Sequence, residues 1–272
     1  MTQDTRTREQ ILLDFLQIRL NDLPRQLDWY INRYDKVNRD SILSGISRFH
    51  TYCGLKSYFI DHDISSMKQH FFVACKLMQA SQTECDQVTS DNFSTYTPFL
   101  YGLLSDSPEI IEWLSHAELR NKGDVKLPHF RFYQFQLLLR GDESTLYETV
   151  KQAANKASKQ DRKEFSTGTD FFSMVLGNDK EGLRRYIENK AKIKTADPYF
   201  DEFISGYAVT LTKLCWIKGV EVEINHPGVP MALMPVAPLD RYEIEYDFLL
   251  PGWTPPKLGV LDKIKRLMKK EN

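Results

Sequence analysis

The stretch Leu138-Leu-Arg-Gly-Asp-Glu-Ser-Thr-Leu-Tyr-Glu-Thr-Val150 decides the fold class of this chain. An apolar run ends here, and Gly141 suits the left-handed conformation that often closes a helix. Asp142 suits the start of a new helix, because its carboxylate accepts hydrogen bonds from free amides and complements the helix dipole. Leu146 and Val150, four and eight residues after Asp142, share one face of that helix. The stretch therefore predicts a helical hairpin.

The same pattern occurs at three other points in the chain. Each acidic turn follows an apolar helix end and precedes apolar residues four and eight positions later: Asp63 with Met67 and Phe71, Asp106 with Ile110 and Leu114, and Asp179 with Leu183 and Ile187. Gly177 is expected to be left-handed, like Gly141. The four aspartates are 43, 36 and 37 residues apart, and each interval is long enough for a helix pair. We therefore predict an all-α fold of stacked helical hairpins over roughly residues 8–219, similar to a degenerate tetratricopeptide-like array.

Helical spacing extends on both sides of these turns. Apolar residues at every third or fourth position over 12–30 predict a long first helix, which Pro24 should kink or split. A second helix is expected over 39–60. Residues 200–215 predict one strongly amphipathic helix, which should end at Gly219.

The character of the sequence changes after Gly219. Residues 220–224 and 242–248 each alternate apolar and acidic side chains, which is typical of a short strand or an extended strap. Prolines between these two segments exclude a long helix: Pro227, Pro230, Pro235 and Pro238. We therefore predict an extended strap over 220–256.

The domain organisation follows from these elements. One helical domain is expected over 1–256, including the strap, and Trp216 should be buried where the array meets the strap. Residues 257–272 predict a basic amphipathic helix. This helix could touch acidic lipid or an acidic partner, but a solvated face is the simpler interpretation because it is short and carries no lipidation signal.

Length and charge exclude several classes of protein. With 272 residues, of which 42% are hydrophobic, the chain can bury a sizeable core. The formal net charge of −1 gives no electrostatic reason to bind nucleic acid or anionic lipid directly. The N-terminal residues lack the apolar core of a secretory signal, and no apolar run approaches the ~20 residues that span a bilayer. Scattered cysteines without a CxxC pair favour reduced thiols, so we expect a cytoplasmic protein with no membrane partner.

No motif for catalysis or cofactor binding occurs in the sequence. A phosphate-binding glycine loop, a nucleophile elbow and the HExxH zinc pattern are all missing. His50 and Cys53 lie one helical turn apart, but zinc would need further ligands such as Cys75 or Cys85, so a core histidine beside a core cysteine is the simpler interpretation. The run Asp-His-Asp over 61–63 could be catalytic, although a turn explains it as well. We therefore predict a protein that is not an enzyme and that binds no cofactor or metal.

Carboxylates in the two alternating segments form the main candidate binding site: Glu221, Glu223, Glu243, Glu245 and Asp247. If the segments pair, these side chains share a solvent face, while the inward-facing residues are Val222, Ile244, Tyr246 and Phe248. The surface could be a solvated face, a docking site for a basic partner or a metal site. A second acidic block over 84–118 holds a reserve set, Asp106, Glu109 and Glu112, of which the first two also suit a helix N-terminus.

The C-terminal part of the chain resembles a known family. Its distinctive elements are Gly206-Tyr-Ala208, Lys213-Leu-Cys-Trp-Ile-Lys-Gly-Val-Glu-Val-Glu-Ile224, His226-Pro227, Val229-Pro230, Leu233-Met-Pro235 and Tyr242-Glu-Ile-Glu-Tyr-Asp-Phe-Leu249. Between residues 207 and 249 these elements resemble the immunity protein 49 family of bacterial polymorphic toxin systems. The resemblance implies an all-α protein that is encoded beside a secreted toxin and protects the producing cell by tight stoichiometric binding. It assigns no catalytic residue.

A cytoplasmic immunity protein implies a toxin that acts in the cytosol, such as a nuclease or a nucleotide-modifying enzyme. Such a toxin holds phosphates in a basic cleft, which the carboxylates of the inhibitor could occupy. Lysine replacements at Glu221, Glu223 and Glu245 would then slow association. Two alternatives remain open: a helical-repeat scaffold that binds another protein or peptide in its groove, and an enzyme with an unfamiliar all-α active site.

Overall fold

A computed structural model describes residues 6–84, 93–193 and 198–256. The predicted C-terminal helix over 257–272 and Cys85 lie outside these residues. Within the described residues the chain is helical and contains no β-strand. The α-helices are α1 (Arg8–Asn32), α2 (Arg39–Phe59), α3 (Ile64–Glu84), α4 (Thr97–Ser105), α5 (Pro108–His116), α6 (Pro128–Arg140), α7 (Glu143–Lys156), α8 (Lys159–Thr167), α9 (Phe171–Leu176), α10 (Lys180–Ala191), α11 (Pro198–Asp201) and α12 (Gly206–Ile217). Short 3-10 helices span Tyr34–Lys36, Met231–Leu233 and Asp247–Leu249.

The four predicted turns all connect packed helix pairs, which confirms the stacked helical hairpins. The pairs are α2 with α3, α4 with α5, α6 with α7, and α9 with α10. The apolar residues four and eight positions after each aspartate are buried: Met67, Phe71, Ile110, Leu114, Leu146, Val150, Leu183 and Ile187. One hydrophobic cluster connects these residues from Leu12 in α1 to Phe248 near the end of the described chain.

Most of the aspartates begin a helix as predicted. The Asp142 and Asp179 carboxylates accept hydrogen bonds from the amides of Thr145 and Gly182, and Asp63 accepts from the Ser66 amide in the same way. These bonds satisfy first-turn amides that have no partner within the helix.

Asp106 differs from the other three aspartates. It ends α4 in the left-handed conformation, with φ of 55°, and Ser107 caps α5 in its place. Gly141 is left-handed as predicted, with φ of 70°. The prediction for Gly177 is wrong, because its φ is −83° and the left-handed residue is the next one, Asn178. Asparagine tolerates this conformation better than most residues with a β-carbon.

The first helix continues through Pro24. Of the expected kink or split, the split does not occur, since α1 runs as one helix from Arg8 to Asn32. Leu16 on one side of Pro24 and Tyr30 on the other are both buried. We attribute the continuity to this tertiary packing, which offsets the lost backbone hydrogen bond.

Helix α12 lies in the core and packs against α4, α6 and α10. The prediction of one amphipathic helix over 200–215 is wrong, because α11 ends at Asp201 before α12 begins at Gly206, and every residue from Ala208 to Cys215 is buried. The polar side chains are accommodated by internal bonds: Thr210 donates to the Gly206 carbonyl and Thr212 to the Ala208 carbonyl. The helix ends two residues before Gly219, which is left-handed and ends the helical segment as predicted.

Residues 220–256 form the predicted extended strap, and they return across the array toward its N-terminal helix. Ser205, just before α12, donates its amide to the Gly228 carbonyl. The strap then passes Lys68 in α3 and His50 in α2, and its Phe248 ring packs on Tyr30 in α1. Among the described residues, none of the helices combines the length and apolar character that crossing a bilayer requires.

Candidate functional site

The first acidic segment of the strap lies beside α12. Glu221 and Glu223 are exposed, while Val222 and Ile224 between and after them are buried. The Trp216 indole Nε1 donates a hydrogen bond of 3.1 Å to the Val222 carbonyl. Exposed acidic and buried apolar side chains therefore alternate over 221–224 as predicted.

Trp216 lies at the join between the array and the strap. The prediction of burial there is only partly correct, because its side chain is half-buried. Its hydrogen bond to the Val222 carbonyl anchors the start of the strap, and its ring packs against the edge of the core.

The second acidic segment lies on α2 and α3. Its backbone is fixed by Gln69, which donates to the Glu243 carbonyl at 2.8 Å and accepts from the Glu243 amide at 3.1 Å. Tyr246 and Phe248 point into the core as predicted, with ring planes stacked at 5.1 Å between centroids. The prediction for Ile244 is wrong: its side chain is 37% exposed.

Glu243, Glu245 and Asp247 are exposed on this second segment. We call these three carboxylates with Ile244 the acidic strap surface. The expected pairing with residues 220–224 does not occur, since no backbone hydrogen bond joins the two segments within the described chain. The connection between them crosses α12 and α3 instead of turning back. The structure thus groups three of the five predicted carboxylates and places Glu221 and Glu223 elsewhere.

The reserve set of Asp106, Glu109 and Glu112 is also divided by the structure, into two exposed residues and one buried residue. Glu109 and Glu112 are exposed on α5, and each has a basic neighbour: Lys76 lies 2.8 Å from Glu109, and His116 lies 3.3 Å from Glu112. Asp106 is buried, which corrects its assignment as a partner-binding residue. Its side chain has no exposed surface with which to contact another protein.

A buried charge cluster surrounds Asp106. Lys213 of α12 lies 2.6 Å from one carboxylate oxygen, and Lys68 of α3 lies 3.0 Å from the other. Burial lowers the pKa of Lys213, and the neighbouring Asp106 carboxylate opposes that change. Lys213, a charged residue inside the apolar run of α12, is the sequence signal that indicates this cluster.

The charge cluster holds the middle of the strap. The Lys213 ammonium donates to the carbonyls of Leu233, Met234 and Pro235, at 2.8, 3.3 and 3.1 Å. The Ala237 amide donates to Asp106, and the Ala237 carbonyl accepts from Lys68. The strap therefore satisfies its backbone with side chains of the array, where a strand would use a neighbouring strand.

A second polar cluster lies beneath the acidic strap surface. The Nδ1 atoms of His50 in α2 and His70 in α3 are 3.1 Å apart. The other ring nitrogen of His50 lies 2.7 Å from the Tyr246 hydroxyl and 3.8 Å from a Glu245 oxygen. One ligand atom each from His50, His70 and Glu245 lies within 4.8 Å of the other two. From the sequence, His50 could be grouped only with cysteines, and folding brings it two other partners, His70 and Glu245.

Burial decides the protonation of this second cluster. It lowers the pKa of His50 to about 3, with a further contribution from His70, and it also lowers the pKa of His70. Both rings are therefore neutral near neutral pH. Burial raises the pKa of Glu245 and raises the pKa of Cys53 to about 12, so Cys53 is a thiol and not a reactive thiolate.

The other predicted ligands and bases do not join this cluster. Cys75 is buried, and its sulfur lies 3.9 Å from the Pro98 carbonyl. Asp61 binds the Lys56 ammonium, and Asp63 caps α3, so the run over 61–63 serves as a turn. No family model, curated protein or solved structure matches this chain.

Proposed function

We propose that this chain is a cytoplasmic immunity protein that binds a cytosol-acting toxin in a stoichiometric complex and performs no catalysis itself. The resemblance of residues 207–249 to the immunity protein 49 family motivates the proposal. The structural observation that carries it is the acidic strap surface, where three exposed carboxylates lie around the exposed side chain of Ile244.

The acidic strap surface has the composition that a protein partner needs. Ile244 offers an apolar contact, and the carboxylates around it supply a charged rim. Leu250, which is 46% exposed, extends the apolar part along the strap. The face at Glu221 and Glu223 lacks such a group, because the alternate residues there are buried. We therefore place the docking site at residues 243–247.

The acidic strap surface is also held in one conformation before any partner binds. Gln69 fixes the Glu243 backbone from both sides, and Tyr246 and Phe248 anchor the segment in the core. A fixed segment loses little conformational entropy on association, which favours tight binding. Three carboxylates on a backbone segment that is held in place also steer a basic cleft toward the surface and raise the association rate.

The proposed partner is a nuclease or a nucleotide-modifying enzyme, because each must hold phosphates with basic side chains. A carboxylate surface that enters such a cleft would block the substrate. Binding of a peptide in an open groove is the weaker proposal, because α12 covers the helices α4, α6 and α10 that could line one.

The test is a pair of matched charge reversals. The double variant Glu243→Lys/Asp247→Lys changes the acidic strap surface, and Glu221→Lys/Glu223→Lys makes the same net charge change at exposed positions on the other part of the strap. The toxin to use is the product of the gene neighbouring the one for this chain. Association kinetics at low and high salt, survival of cells that co-express the toxin, and far-UV circular dichroism would be measured for both variants.

We expect the first variant to associate at least about tenfold more slowly at low salt and to lose protection, while the second stays close to the parent. Both should keep the parent spectrum. If both variants lose association rate and protection equally, the cause is the change in net charge of the whole chain, and docking at residues 243–247 is refuted. Parent chain that neither binds the toxin nor protects cells would refute the immunity function itself.

A further inference from the structure

We infer that His50, His70 and Glu245 form a binding site for one zinc-class divalent transition-metal ion, which ties the strap to α2 and α3. The three residues come from three separate elements, and one ligand atom of each lies within 4.8 Å of the other two. This inference does not depend on the proposed function, and its test requires no toxin.

The spacing of the imidazole nitrogens fits a metal centre. Two nitrogen ligands bound to zinc at ~2.0–2.1 Å with a tetrahedral angle between them lie about 3.3 Å apart. The Nδ1 atoms of His50 and His70 are 3.1 Å apart. A small ring rotation therefore places both lone pairs on a common ion.

The Tyr246 hydroxyl holds the His50 ring in place for this role. A histidine that binds a metal through one nitrogen usually donates its other ring N–H to a nearby acceptor. The Tyr246 oxygen lies 2.7 Å from Nε2 of His50 and can accept that bond, which leaves the Nδ1 lone pair toward His70. Tyr246 itself is buried and held between His50 and Phe248, so it orients the ring firmly.

Glu245 supplies the third ligand and the only negative charge among the three. One oxygen of its carboxylate lies 3.8 Å from Nε2 of His50, and its side chain is about half exposed, so it can rotate toward an ion held at the two Nδ1 atoms. Water can reach the site from the same side and fill the remaining coordination position. Lys56 of α2, a cation that acts on His70, is paired with Asp61 and so opposes metal binding less than a free lysine would.

The ligand set selects the class of ion. Two imidazoles and one carboxylate suit zinc and neighbouring transition metals, whereas magnesium and calcium require mostly oxygen ligands. Cys53 lies near Glu245 as a half-buried thiol, and the two histidines and Glu245 supply three ligands without it. A bound ion would hold Glu245 against the array and so determine how the acidic strap surface is presented.

The purely structural alternative is a hydrogen bond between the buried His50 imidazole and the half-buried His70 imidazole, with no ion. Metal-free chain prepared by dialysis against a chelator would be titrated with zinc by calorimetry, and thermal unfolding would be followed with zinc, with magnesium and with neither. Cobalt(II) absorption would report the coordination. We expect one zinc per chain, a higher midpoint with zinc only, and a cobalt spectrum without a strong thiolate charge-transfer band.

Variants locate the ion. His70→Asn and Glu245→Gln remove one ligand each, and Glu245→Gln changes a half-exposed side chain, so it should leave the fold intact by circular dichroism. His116→Asn is the matched control, because His116 and Glu112 form an exposed histidine–carboxylate pair elsewhere. We expect zinc affinity to fall at least about tenfold in both ligand variants and to be unchanged in the control.

Three results would overturn the site. These are no zinc binding by the parent, unchanged affinity in folded Glu245→Gln, or a thiolate band that assigns the ion to cysteine.

Discussion

The buried carboxylate of Asp106 should be the most sensitive single charge in the fold. Asp106 lies between the ammonium groups of Lys68 and Lys213, and the side chains of all three residues are almost wholly buried. The change to test is Asp106→Asn, which keeps the size of the side chain. Asparagine also accepts the left-handed conformation, with φ of 55°, that Asp106 adopts. The substitution therefore removes the negative charge with little change in the backbone.

The expected loss is large compared with the stability of a typical domain. Removing one partner of a buried ion pair costs about 3–5 kcal/mol, out of a total of about 5–15 kcal/mol. Lys213 can limit its share of the cost by releasing its proton, because burial already lowers its pKa and Asp106 is the group that opposes this. Releasing a proton at about pH 7 from a lysine with an unperturbed pKa of about 10.4 costs about 4.6 kcal/mol. The cost of leaving the ammonium charged and the cost of deprotonating it are similar, and we expect the free energy of unfolding to fall by about 3–5 kcal/mol.

The assay is urea denaturation followed by far-UV circular dichroism. Asp142→Asn is the matched control, since Asp142 caps α7 through a half-buried side chain and asparagine caps a helix as well as aspartate does. The control should lie within about 0.5 kcal/mol of the parent. A loss below about 1 kcal/mol in Asp106→Asn would refute the idea that this carboxylate neutralises buried ammonium groups.

The pH dependence gives a second reading of the same variant. Without Asp106, the pKa of Lys213 falls further in the folded chain, so the unfolded chain binds more protons near neutral pH. The stability of the variant relative to the parent should therefore rise as pH rises, by at most about 1.4 kcal/mol per pH unit, until the unfolded lysine also loses its proton near pH ~10.4. A constant difference between variant and parent from about pH 7 to about pH 9 would show that Lys213 keeps its charge.

Two further substitutions test the packing. Gly102→Ala should destabilise the chain by about 1–3 kcal/mol, despite the better helix propensity of alanine, because the new β-carbon would overlap the Leu114 side chain. Gly123→Ala is its control in the same urea assay and should be nearly neutral, since no atom lies within 4 Å of the added carbon; equal effects would contradict the close packing of α4 on α5. Trp216→Phe should cost about 1 kcal/mol through the lost bond to the Val222 carbonyl, and Trp216→Ala more. Differential scanning calorimetry measures both, and an unchanged Trp216→Phe midpoint would show that the bond adds nothing.

The hairpins could be predicted from the sequence because their signal is local. A capping aspartate with apolar residues four and eight positions later specifies both the start of a helix and the face that it buries. The errors are of one residue each, where neighbours compete for a role. Ser107 takes the capping position that Asp106 was expected to hold, and Asn178 takes the left-handed conformation expected of Gly177.

The course of the strap could not be predicted, because nothing local determines it. Alternation correctly placed Tyr246 and Phe248 inside, but it also suggested that the two acidic segments pair. Their separation depends on contacts with side chains far away in sequence, such as Lys213 and Gln69. The histidine cluster was missed for the same reason, since His70 lies 20 residues from His50 and Glu245 comes from the strap.

Two sets of variants distinguish two reasons why partner binding at the acidic strap surface could be lost: disorder of the strap and loss of its negative charge. Asp106 lies beneath the middle of the strap and does not touch the exposed carboxylates, so Asp106→Asn should loosen residues 233–237 without changing surface charge at residues 243–247. Its effect on partner binding should then appear together with faster proteolysis of the strap and should be insensitive to salt. Glu243→Lys with Asp247→Lys should leave protease resistance intact and reduce the salt-dependent association rate. If Asp106→Asn weakens binding together with faster proteolysis, and the double lysine variant weakens it only through the salt-dependent association rate, the strap contributes in two ways. Asp106 keeps the strap ordered, and Glu243 and Asp247 supply the charge that attracts the partner.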